Sequence, residues 1–120
     1  MNTPLARYDA AVARWQAARS TFIRAATSGV SDVAAERRWA STFLAAERSF
    51  ARTMTPPAWP AASRAVIGGL LHASATEQRH LLAMSRAPSP GAFTGELGGY
   101  SVDTAAENTA VGAVRKTLGG

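Results

Sequence analysis

With 120 residues, 47% of them hydrophobic, the chain has apolar material for one domain with a core shared among several elements, and too little length for two ordinary ones. The net charge of +5 comes from thirteen Lys and Arg against eight Asp and Glu, but the basic residues are scattered, with Arg37-Arg38 and Arg115-Lys116 the only adjacent pairs. They set out no basic face of the kind that follows a nucleic-acid backbone. The absence of cysteine excludes disulfides, thiolate chemistry and Cys-containing zinc sites.

Arginine in place of almost every lysine, with abundant alanine, reads as the codon bias of a GC-rich bacterial genome. The longest uncharged apolar-leaning run, Ala65 to Thr76, is too short to span a bilayer, and the N-terminus offers no hydrophobic leader core. The chain therefore reads as a soluble domain, either cytoplasmic or a mature extracytoplasmic one.

Four helical segments follow in order. The first opens at Thr3 with Pro4 in the first helical position, and Leu5, Tyr8, Val12, Trp15, Arg19, Phe22 and Ala26 recur on one stripe before Ser28-Gly29 ends it. The second, from Asp32 to Arg52, places Ala40, Phe43, Phe50 and Met54 on one stripe together with Glu36 and Glu47. The prolines of the Thr55 to Pro60 segment break it. The third, Ala61 to Arg86, has a broad apolar face including Val66, Ile67, Leu70, Leu71, Leu81 and Leu82, with Trp59 packed at its mouth. The segment Ala87 to Tyr100, rich in Pro, Gly and Ser, reads as a long irregular crossover. A last helix then begins at Ser101 or Asp103 with Val102, Ala106, Val111, Val114 and Leu118 inward. The expected fold is all-α: an up-down four-helix bundle with a long Pro/Gly-rich loop before the last helix.

No nucleophile elbow, phosphate-cradling glycine loop or kinase signature is present, so the reading is non-enzymatic. Two features stand out. Gly68-Gly69 in mid-helix costs roughly 1 kcal/mol per glycine, which calls for close helix packing or a kink beside His72. Glu77-Gln78-Arg79-His80 puts a carboxylate and an imidazole on one helix face. Counting from a turn near Pro57, Glu36 stands 21 residues before it and Glu77 and His80 stand 20 and 23 after it, which places them at comparable depth, with Glu107 returning to the same level. Glu47 lies nearer the turn. Glu36, Glu77, His80 and Glu107 are thus candidate ligands for divalent iron, manganese or zinc. The alternative, favoured because buried charges are usually paired, is neutralisation by arginines such as Arg79 and Arg86 with no cofactor.

Glu77-x-x-His80 resembles the ligand motif of ferritin-like di-iron proteins, which implies a carboxylate-bridged metal site; Glu107-Asn108-Thr109-Ala110 lacks the second histidine of that pattern. The Trp59-Pro60-Ala61-Ala62 opening and the stretch from Ala106 to Gly119 are similar to small helical domains of predicted lipoproteins from GC-rich bacteria, which implies an extracytoplasmic binding or structural role. The Trp-x-Gly turn of small type VII secretion substrates is missing at Thr27 to Val30. The sequence thus points first to a helical bundle that binds a partner protein, a small ligand or a second copy of itself. A ferritin-like metal-binding protein is the alternative, and an arginine-dependent nucleic-acid accessory a weaker third.

Overall fold

Buried side chains recur every seven residues in each helix, and that spacing decides how the helices assemble. A computed structural model describes residues 3–120. Helix α1 (Pro4–Ala26) buries Tyr8, Trp15 and Phe22; α2 (Val33–Thr53) buries Glu36, Phe43 and Phe50 in one row and Ala40 and Glu47 in the next. Helix α3 (Arg64–Ser85) buries Ile67, Ser74 and Leu81 beside Leu70, Glu77 and Met84, and α4 (Pro90–Thr117) buries Phe93, Tyr100, Glu107 and Val114. A seven-residue repeat keeps one face of a slightly supercoiled helix turned toward its neighbours, the geometry of up-down bundles. The described residues contain no strand, and no helix among them is long and apolar enough to cross a membrane.

Local chemistry fixes the helix ends. The Ala6 N–H donates to Thr3 Oγ1, the Ala34 N–H to Asp32 and the Ala92 N–H to Ser89 Oγ, each satisfying a donor that the first turn leaves free. Gly29, at φ +84°, turns the chain from α1 into α2. Between α2 and α3 the prolines wind into two single-turn 3₁₀ helices, Pro56–Ala58 and Ala61–Ser63. Trp59 is buried there, its indole N–H donating to the Thr53 carbonyl at 2.9 Å and its ring edge-on to Tyr8, so its role is packing. Side-chain bonds tie the antiparallel neighbours: Arg37 Nε donates to the Ala87 carbonyl, and the Tyr8 hydroxyl donates to the Val111 carbonyl at 2.8 Å. Stacked rings fill the layers, with Trp15 on Phe50 and Phe22 on Phe43, both at 5.2 Å, and Tyr100 edge-on to Phe22 and Phe43.

The structure differs from the sequence expectation in the last third. Ala87 to Tyr100 is not a long loop: α4 begins at Pro90, with Ser89 as its cap, so the crossover shrinks to a few residues. Its glycines weaken the helix locally, and burial of Phe93 and Tyr100 against Phe22 and Phe43 offsets that cost. Starting the helix earlier also turns Val102 outward, where it is 77% exposed.

Gly68-Gly69 likewise meets neither expectation. Both glycines are exposed, nothing stands within 4 Å of a Cβ added at either, and α3 runs through them as one helix. Among the glycines within the helices, Gly99 is the one that close approach requires. A Cβ there would stand 2.7 Å from His80 Cε1, and His80 is tethered through both ring nitrogens. Gly69→Ala is therefore expected to stabilise the fold by roughly 0.5–1 kcal/mol through helix propensity, and Gly99→Ala to destabilise it by displacing the imidazole. Urea unfolding at fixed pH checks the pair; changes of the same sign at both positions would contradict this reading.

Candidate functional site: a buried carboxyl layer

The seven-residue rows carry polar residues into the middle of the core. Glu47 of α2, Glu77 of α3 and Glu107 of α4 are each 0% exposed. Glu47 is well held: Trp15 Nε1 donates to one of its oxygens at 3.1 Å and Ser74 Oγ to the other at 3.0 Å, while Gln78 Nε2 donates to Ser74 Oγ at 3.2 Å. Glu77 and Glu107 are not. All four of their carboxyl oxygens are buried without a hydrogen-bond partner among the described residues, as are the Tyr100 hydroxyl and Thr104 Oγ1. Burial raises the Tyr100 hydroxyl pKa, Thr104 lowers it, and the charges of Glu77, Glu107 and Glu47 raise it further, so the phenol faces the same layer.

Desolvation dominates the electrostatics. Burial, followed by the negative charge of Glu47, pushes Glu77 up to about 8; Asp103 adds to this, while His80 and Arg19 oppose it. Burial and then Glu47 push Glu107 up to about 10, with Glu77 contributing and Arg19 opposing. Glu47 is also raised by burial, but Glu107, Trp15 and Ser74 all act to hold its charged form. With two donors on Glu47 and none on Glu107, Glu47 is the better-held anion of the pair and Glu107 the better-held neutral acid. The geometry between them falls short of a full hydrogen bond, which leaves the Glu107 oxygens unpartnered.

The expected arginine neutralisation does not occur. Arg79 is exposed and donates to Thr76 Oγ1, Arg86 is exposed, and the ion pairs among the described residues are His80 with Glu96 and Asp103 and Arg115 with Asp9. Arg19 acts on all three carboxyls, but it sits at the rim, stacked over Trp15 and bonded to Asn108. Protons on Glu77 and Glu107, rather than a buried cation among the described residues, limit the charge of the layer.

Of the four residues singled out in the sequence, Glu77 and Glu107 come together and Glu36 and His80 do not join them. The bonds from Arg37 to Ala87 and from Ser74 to Glu47 centre the α2–α3 hairpin near residue 61, past Pro57, because two 3₁₀ turns lengthen the connection. This register lowers Glu36 to the far end of α3 and raises Glu47 into the layer. The two stand eleven residues, or about 16 Å, apart along α2. Glu36 is buried there with Oε1 unpartnered. His80 turns toward α4, with Nδ1 3.2 Å from Glu96 Oε2 and Nε2 2.8 Å from Asp103 Oδ2. Burial would lower its pKa, but the two carboxylates outweigh that and raise it. Both nitrogens are thereby occupied in joining α3 to α4. Among the described residues no three His, Cys, Asp or Glu side chains are grouped to hold a metal ion in this arrangement.

Tyr100 and Thr104 are further layer residues that the sequence reading missed. The row Phe93, Tyr100, Glu107, Val114 would have exposed Tyr100, but it crosses the expected loop boundary, and Thr104 lies off that row. No family model, curated protein or solved structure matches the chain.

Glu77, Glu107 and His80 all have folded pKa values above their unfolded ones, so each contributes most to stability at low pH. That contribution is lost as pH rises through the folded values. For the two glutamates the window runs from about 4.5 to between about 8 and about 10, where the unfolded chain is ionised and the core is not. Urea stability is expected to fall from pH 5 to pH 9, and Glu77→Gln to flatten the slope and exceed the parent protein at pH 8 by roughly 1–3 kcal/mol. A parent protein that gains stability toward pH 9, or a Glu77→Gln variant less stable than the parent at pH 8, would contradict proton neutralisation.

Proposed function

We propose that this bundle is a non-enzymatic binding domain whose ligand is a small cation taken up by the carboxyl layer of Glu47, Glu77 and Glu107. The observation that carries the reading is the set of four unpartnered oxygens on the fully buried Glu77 and Glu107, joined by the unpartnered Tyr100 and Thr104 hydroxyls. A core of hydrophobic residues at these positions would be more stable, because buried acids lacking partners cost several kcal/mol. Such violations of packing economy concentrate at functional sites.

The donors are all oxygen, and His80 is engaged elsewhere, so hard or borderline ions such as Mn²⁺ or Fe²⁺ suit the layer better than Zn²⁺. Only the Glu77 half of the ferritin-like Glu77-x-x-His80 motif reaches the layer, so the reading rests on the unpartnered oxygens rather than on that resemblance. Because the carboxyls are not grouped as a ready cage, uptake is coupled to release of the Glu77 and Glu107 protons and to turning of their side chains.

Thermal unfolding with Mn²⁺, Fe²⁺ or Zn²⁺ tests this. The expected result is a rise in Tm with Mn²⁺ or Fe²⁺ that is larger at pH 8 than at pH 6, smaller with Zn²⁺, and lost in both Glu77→Gln and Glu107→Gln. No shift with any ion in the parent protein, with both variants folded and more stable, would leave the layer a proton-neutralised structural feature.

A further inference from the structure

A second candidate site lies on the outer face of α1 and α2, away from the carboxyls. Ala18 and Ala25 line the α1 side of an open groove of about 480 Å³ between the two helices, within the range of small-molecule sites. Phe22 and Phe43, stacked on each other, form its floor, and Arg38 and Trp39 stand on its α2 wall.

The wall carries donors without acceptors. Of the three tryptophans, Trp15 donates to Glu47 and Trp59 to the Thr53 carbonyl, whereas the half-buried Trp39 indole makes no hydrogen bond with the described residues. Its neighbour Arg38 is exposed and has no ion pair among them either. An apolar trough with a guanidinium and an indole N–H beside it is complementary to a molecule that has an apolar body and one anionic end. Charge-assisted bonds of this kind are the stronger ones, and Arg suits a carboxylate in particular.

We infer that the α1–α2 groove binds a free, single-chain amphiphile with one anionic head, its chain on Phe22 and Phe43 and its head at Arg38 and Trp39. This site is separate from the carboxyl layer, and either can fail without the other. It also gives Arg38 and the Trp39 nitrogen, both without a partner among the described residues, a common use.

Decanoate below its micelle concentration is the probe, followed by tryptophan fluorescence and calorimetry on the full chain. The expected result is saturable one-to-one binding that Arg38→Glu weakens about tenfold or more. Arg38 is exposed, so that variant keeps the fold. Ala18→Leu, which fills the trough from α1, should also abolish binding while circular dichroism shows the helices intact. Decanol and decyltrimethylammonium should each bind at least about tenfold more weakly than decanoate, because neither offers an anion to the wall. The proposal is overturned if decanoate does not saturate, if Arg38→Glu leaves its affinity unchanged, or if the cationic amphiphile binds as well. It is equally overturned if light scattering shows that a second copy occupies the groove in solution, or if binding occurs only to anionic vesicles.

Discussion

Three carboxyl groups withdrawn from water, with no ion pair to any of them among the described residues, set the terms on which this bundle is stable. In a low-dielectric core, a carboxylate persists only if donors hold its charge, and otherwise it keeps its proton. Both outcomes occur within one layer. Glu47 has Trp15 and Ser74 as donors and is the group best held as an anion, and that anion helps keep Glu107 and Glu77 protonated. The helices above and below the layer are ordinary packing. The layer itself is where stability is given up, and the partners it lacks are those that a positively charged ligand would supply.

The rest of the architecture positions that layer. The row of Trp15 and Phe22 on α1 closes one side, and Phe43 and Tyr100 form an aromatic shelf next to Glu107. His80 is bound to Glu96 and Asp103 and sits over Gly99, which joins α3 to α4 outside the layer while leaving Glu77 directed inward. The shelf has a second face. Phe43, with Phe22 stacked on it, also lines the α1–α2 groove. Small residues on α1 line the groove, and heptad-placed acids create the layer. Neither arises from irregular backbone.

Much of this was legible in the sequence, for physical reasons that differ from element to element. Tyr8, Trp15 and Phe22 declare their shared face because large aromatics at helical spacing have one plausible destination. Glu36 and Glu47 fall on the inward stripe of α2 by spacing alone, and both are buried. The hairpin register was not readable, since a proline-rich connection can be a tight turn or two 3₁₀ turns, and moving the turn from Pro57 to near residue 61 exchanges Glu36 for Glu47. The first part of α4 was hidden by its glycines: local propensity argues for a loop, and tertiary burial of Phe93 and Tyr100 overrides it. The protonation of the layer was beyond sequence, because it depends on which side chains fail to meet.

The most direct test is a carbon-13 NMR titration of the glutamate side-chain carboxyls in the folded, cation-free protein, with each signal assigned by its Glu→Gln variant. Glu77 is expected to titrate at about 8 and Glu107 at about 10, each well above the ordinary carboxylate range. If Glu77 and Glu107 instead titrate near 4.5 in a protein that stays folded, the layer is ionised at neutral pH and the picture of a proton-neutralised core awaiting a cation is wrong.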